Sequence, residues 1–157
     1  MAQYADTNMY EVALEETREL FGEFLEGART APMLALSGRR LDERAQAALT
    51  STATSLGYGS EACTFAALRT EAGALDPHAL FMLIEGLDPL CLVAADADAA
   101  RSLSQAYRCP IELGSLQRVF GRPCVALDSF ERMLADSGEK QRAWALLRQL
   151  PRFGRQR

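Results

Sequence analysis

Gly121-Arg122-Pro123-Cys124-Val125-Ala126-Leu127-Asp128-Ser129-Phe130 decides the fold. Its centre is a short apolar run that reads as a strand buried on both faces. The polar corner Asp128-Ser129 then feeds a helical run through Lys140, Arg142, Ala143, Trp144 and Leu147. A buried strand that ends at a polar corner and passes into an amphipathic helix belongs to the carboxyl edge of an open α/β sheet, where such folds place their sites.

Upstream, the same alternation continues. Asp76 as cap and Pro77 at the first helical position start a helix with Leu80, Leu83, Ile84 and Leu87 on one stripe, stopped near Gly86 to Pro89. A strand from Leu90 to Ala95 follows at once, then a helix capped by Asp96 or Asp98 and carrying Ala99, Ala100, Leu103 and Tyr107. Cys109-Pro110 breaks that helix, and a loop or short turn through Leu113 to Phe120 leads to the last strand. Near the start, Tyr10, Ala13, Leu14, Thr17, Phe21, Phe24 and Leu25 share one face opposite glutamates, which predicts an amphipathic helix over 9–27 stopped at Gly27. Met33 to Leu36 reads as the first buried strand, closed by Ser37-Gly38. Leu41, Ala45, Ala48, Leu49, Thr52 and Leu56 set a second helix ending at Gly57-Tyr58-Gly59. A strand from Ala62 to Leu68 and a polar stretch through Thr70, Glu71 and Gly73 complete the chain. Strand and helix alternate throughout, so the expected fold is α/β in three layers: a mainly parallel four-stranded sheet with helices on both faces. The length, 157 residues, suits one domain over 1–157.

Neither a leader-like basic and apolar opening nor an apolar run long enough to span a bilayer occurs, so the expectation is a cytoplasmic protein with no membrane contact. The four cysteines, Cys63, Cys91, Cys109 and Cys124, are far apart and lack the tight Cys-x-x-Cys spacing of a metal set. They read as core thiols in a reducing compartment, and no metal or other cofactor is expected. The net charge is −4 but unevenly spread. Glu11, Glu15, Glu16, Glu19 and Glu23 face only Arg18, whereas Arg142, Arg148, Arg152, Arg155 and Arg157 follow Lys140. The basic tail, 151–157, is expected to give at most weak, salt-sensitive nucleic-acid binding. A homo-oligomer built through the helical faces is an open alternative.

Leu87-Asp88-Pro89-Leu90-Cys91-Leu92-Val93-Ala94-Ala95-Asp96 with Ala99-Ala100 resembles the uracil-DNA glycosylase superfamily, in which a helix ends in a Leu-x-Pro turn before a strand and small alanines open the next helix. Gly121-Arg122-Pro123-Cys124-Val125-Ala126 resembles the family's Gly-Arg-Pro-Val-Val-Ala strand, and Lys140-Gln141-Arg142-Ala143-Trp144 its closing helix. The resemblance covers about 74–150 and implies a glycosylase-like fold.

The catalytic positions depart from that pattern. Base excision needs a group that positions water, a pocket for the flipped base and a histidine near the leaving oxygen. Where the family carries a Gly-Glu-x-Pro-Gly or Gly-Gln-Asp-Pro-like loop, this chain reads Leu36-Ser37-Gly38-Arg39-Arg40, with no carboxylate until Asp42. Where the family carries His-Pro-Ser, it reads Leu127-Asp128-Ser129. The single histidine, His78, falls in the first turn of a helix beside Pro77 and reads as a surface or capping residue. The family's base-reading asparagine is missing near Leu68-Arg69. No catalytic residue is assigned. The strand ends would instead gather Ser37, Gly38, Arg39, Arg40, Arg69, Asp96, Asp128 and Ser129 at one rim, where arginines can grip an anion and Ser37-Gly38 can offer backbone N–H groups. The competing interpretation makes Asp96 and Asp128 helix caps and leaves the arginines solvated or paired with Asp42 and Glu43. The expected function is therefore a diverged, non-catalytic binding role at the strand-end cleft. The alternative is a DNA-repair glycosylase that uses Asp128 or Asp42 in an unusual constellation.

Overall fold

Four runs of small and branched apolar residues form strands with almost no exposed side chain: β2 (Met33–Ser37), β3 (Cys63–Ala67), β6 (Cys91–Ala94) and β8 (Arg122–Ala126). The computed structural model describes residues 9–30 and 32–153. Around these strands lie α1 (Met9–Phe21), a 3-10 turn (Gly22–Phe24), β1 (Leu25–Gly27), α2 (Glu43–Ser55), β4 (Arg69–Thr70), β5 (Gly73–Ala74) and α3 (Pro77–Leu87). The chain finishes with α4 (Ala97–Tyr107), β7 (Ser115–Val119), α5 (Phe130–Leu134) and α6 (Ser137–Leu147).

The sheet is mixed and six-stranded, in the order β1-β3-β2-β6-β8-β7. The four expected strands are parallel to one another, and the two extra strands are antiparallel edges. Period-2 alternation sorts the strand residues between two cores. Met33, Ala35, Val93 and Val125 face Leu49, Phe130 and Leu147 from α2, α5 and α6. Leu34, Leu36, Leu92 and Ala126 face Leu14, Ile84 and Leu103 from α1, α3 and α4. Three of the cysteines, Cys63, Cys91 and Cys124, are buried strand residues. Burial pushes the thiols up, to about 11 for Cys91 and about 12 for Cys124. Cys109 is half-buried, and all four are free.

Each helix after α1 starts on a short polar cap whose oxygen accepts a backbone N–H: Asp42 from Ala45, Asp76 from Ala79, Asp96 from Ala99, Ser129 from Arg132 and Asp136 from Glu139. Asp96 thus caps as the competing interpretation expects, while Asp128 yields that role to its neighbour Ser129.

The sheet expectation needs three corrections. The N-terminal helix ends at Phe21 instead of 27, because Leu25–Gly27 pairs with the open edge of β3. Gly27 has φ 91°, and a Cβ there would meet Cys63 O at 2.6 Å, so it is an edge-strand residue admitted by its missing side chain. The stretch from Leu113 to Phe120, expected as a loop, holds β7, which forms a hairpin with β8. The polar stretch after Arg69 folds into the small β4–β5 ladder. The tail residues Arg155 and Arg157 lie outside the described residues.

α1 packs along α3, and one contact between them is very close. A Cβ on Gly86 would sit 2.0 Å from Thr17 Oγ1 and 3.1 Å from its Cγ2. Gly86→Ala gains about 1 kcal/mol of helix propensity but overpacks a buried contact, which costs about 1–3 kcal/mol. Urea unfolding should therefore show a net loss for Gly86→Ala alone. In a Thr17→Ala background, which removes Oγ1 but keeps a Cβ 3.0 Å away, the same substitution should cost clearly less, and an equal cost in both backgrounds would refute the contact.

Candidate functional site

The chain adds β3 on one side of β2 and then crosses over to add β6 on the other, so the strand-order reversal lies between β2 and β6. In an open α/β sheet the carboxyl ends of two such strands splay apart and leave a crevice. Here the molecule's own groups occupy it. The backbone N–H of Gly38, just past β2, donates to both carboxylate oxygens of Asp96, at 3.2 and 3.0 Å. Asp96 also takes the Ala99 N–H at 2.8 Å. Beside it Arg69 donates to Asp98 at 2.8 Å, and Arg101 holds the other oxygen of Asp98 at 2.8 Å. A Cβ on Gly38 would lie 2.8 Å from Asp98 Oδ2 and 3.0 Å from Arg69 Nη2, so glycine is what lets the three chains close together. The anion that Ser37-Gly38 was expected to receive is a side chain of this protein.

The remaining rim residues divide. Ser37 is buried, and its hydroxyl donates to Arg39 O at 2.6 Å, tightening the turn out of β2. Ser129 pairs with Asp96 through an isolated antiparallel bridge, and Asp128 forms an exposed ion pair with Arg132 one turn on. Arg40 turns away to Glu26 at 2.7 Å, and Gln46 donates to the other oxygen of Glu26 at 2.8 Å. Arg40 and Arg69 therefore pair with Glu26 and Asp98, and not with Asp42 or Glu43. The exposed Arg39 joins no ion pair among the described residues. Asp42 is committed twice, by capping α2 and by its N–H donating to Glu131 at 2.7 Å. His78 is exposed in the first turn of α3.

A cleft of about 440 Å³ opens beside the closed crevice, between β1, the ends of β2 and β3, and the β4–β5 ladder. Phe24, Leu41 and Phe65 supply apolar wall, while Arg40, Arg69 and Glu71 supply polar rim. Its size lies within the range of small-molecule sites. Glu26, Gln46, Phe24, Phe65 and Asp98 were absent from the rim expected from sequence. Of these only Asp98 left a local signal, its i,i+3 spacing to Arg101.

Two carboxylates here have shifted pKa values, and both fall. Glu26 is held below the usual carboxylate range chiefly by the hydrogen bond from Arg40, and Asp98 by those from Arg101 and then Arg69. A general acid needs the opposite shift, a carboxyl kept protonated by burial or a like charge. Among the described residues no group of three or more His, Cys, Asp or Glu side chains is placed to hold a metal ion, and no helix is long and apolar enough to cross a membrane. Compared with protein-family models and with curated proteins, the chain matches none.

Proposed function

We propose that this chain is a non-catalytic binding protein, a diverged relative of the uracil-DNA glycosylases that binds a small polar molecule in the 440 Å³ cleft beside its closed crevice. The observation that carries this reading is the Asp96 carboxylate bound to the Gly38 N–H, because a group of the protein fills the position where a strand-end ligand would sit. Asp42 and Asp128, the carboxylates that a repair glycosylase would need, are engaged as a cap and as an ion pair.

Single- and double-stranded DNA carrying uracil is the direct test. Each electrostatic element of such a site contributes a few kcal/mol, so loss of the set should bring the rate down by many powers of ten. The expected result is no uracil release above a no-protein control. Release that disappears in Asp128→Asn would replace this reading with the glycosylase one.

A further inference from the structure

The segments 9–27 and 140–157 carry opposite charge, and α1 and α6 lie on opposite faces of the sheet. Met9 to Gly27 contains six glutamates and one arginine, whereas the sequence after Glu139 contains six cations and no acidic side chain. Leu14 packs α1 onto one core, and Leu147 and Leu150 pack α6 and the segment after it onto the other.

Each surface is neutralised only in part from within: Glu26 pairs with Arg40 at one end and Arg142 with Glu139 at the other. Arg18 is spent on the carbonyls of Ala28 and Arg29, at 3.4 and 2.8 Å. Glu15 pairs with Arg29, but Glu16, Glu19 and Glu23 are exposed and join no ion pair among the described residues. Glu16 and Glu19 stand on α1 and Glu23 on the 3-10 turn that follows it, and Leu20 between them is 67% exposed. At the other end Lys140, Arg148 and Arg152 are exposed and join no ion pair among the described residues. Phe153, next to Arg152, is 45% exposed, yet it is firmly mounted. Its N–H donates to Leu56 O at 2.8 Å, its ring packs 5.2 Å from that of Tyr58, and the Tyr58 hydroxyl donates to Pro151 O at 2.6 Å. Each segment thus offers an exposed apolar side chain together with exposed charges mostly of one sign, and the signs are opposite.

We infer that the acidic face of α1 in one copy docks on the basic surface of α6 and Pro151–Phe153 in a second copy, head to tail. The two patches are different surfaces on opposite sides of one molecule, so the contact is heterologous. Each docked pair leaves one acidic and one basic face free, and assembly continues into rings or open chains. The contact is electrostatically steered and screened by salt.

Sedimentation at rising protein concentration tests this, with two charge-reversed variants. One carries Glu16→Lys with Glu19→Lys, and the other Arg148→Glu with Arg152→Glu; thermal melts confirm that each is folded. The wild type at low salt should exceed the mass of one chain and grow with concentration. It should return to one chain at about 1 M salt, where the screening length is about 3 Å. Each variant alone should stay at one chain, because both of its faces then carry the same sign. An equimolar mixture of the two should associate again, and Leu20→Ser should weaken the wild-type association several-fold with its salt dependence intact. A wild type that remains a single chain at low salt, whether or not its basic end binds added duplex DNA, overturns the inference. So does association that survives either reversal or high salt, or a mixture that fails to associate.

Discussion

Replacing Arg122 with leucine should remove about 3 kcal/mol of folding stability, the low end of the range for breaking a buried ion pair by deleting one partner. The Arg122 side chain is only 13% exposed and donates in three directions: to Glu85 at 2.7 Å, Asp88 at 2.8 Å and Pro89 O at 2.9 Å. Tyr107 donates to the same Glu85 oxygen at 2.7 Å, so one arginine ties β8 to the end of α3 and, through Glu85, to α4. The low end applies because Asp88 keeps 62% exposure and its pair is screened. For a chain of this size the expected fall in melting temperature is about 6–12 °C. Arg122→Lys should recover only part of it, since a single ammonium cannot reproduce the guanidinium fork. The effect also has a signed pH dependence. Burial opposes ionisation of Glu85, but hydrogen bonds from Arg122 and Tyr107 outweigh it and leave the pKa below the ordinary 4.5. A carboxyl lowered in the folded state stabilises above its unfolded pKa and loses that contribution as pH falls through its folded pKa. The gap between wild type and Arg122→Leu should therefore be full at pH 7 and narrow below about pH 4.5. A gap that does not change with pH would assign the loss to packing alone.

The elements legible in the sequence were those whose signal is local. Asp76-Pro77 marks a helix start because the cap and the fixed φ of proline act on the next turn, and α3 begins there. Met33 to Leu36 and Leu92 to Ala94 read as interior strands because a strand covered on both faces needs apolar residues at every position. The edge strands lacked any such signal. Leu25–Gly27 is too short to show alternation, and it followed an amphipathic helix whose pattern it continued. The β7–β8 turn is harder still. Phe120 and Gly121 have φ 51° and 89°, the mirror-image hairpin conformation that sequence normally announces with Asn-Gly. Phenylalanine in that place gives no turn signal. Its ring instead lies near Tyr107 and Phe81, with centroids 5.6 and 6.2 Å away, so a tertiary contact helps hold a residue that local preference disfavours.

The rim was legible for a related reason, since strand ends are where an α/β sheet gathers its polar residues, but the partners were not. Arg40 was expected at the cleft rim or, in the competing interpretation, solvated or beside Asp42 and Glu43, whereas it binds Glu26 across the fold. Arg69 reaches Asp98, 29 residues on. Such pairings depend on which strands lie side by side, and that order follows from the crossover after β3 and from the edge strand that composition does not announce.

Asp96→Ala should cost about 2–4 kcal/mol, because it deletes a helix cap worth about 1 kcal/mol and leaves the Gly38 N–H inside a closed crevice without its acceptor, which costs about 1–3 kcal/mol. Gly38 has no easy substitute partner, since Arg69 and Asp98 already fill the space around its Cα. Asp96→Asn separates the two contributions. Asparagine caps a helix about as well as aspartate, and its amide oxygen can accept from either Ala99 or Gly38, so geometry is largely kept while the charge is removed. Urea unfolding should place Asp96→Asn between wild type and Asp96→Ala. The same series bears on function. If the carboxylate holds the crevice shut, an anion such as phosphate should bind Asp96→Ala more tightly than wild type, because it can then supply the acceptor that the Gly38 N–H has lost. Phosphate binding that weakens in Asp96→Ala would mean that Asp96 supports an anion site instead of occupying one, and the cleft beside it would then have to be read as the outer part of a working pocket.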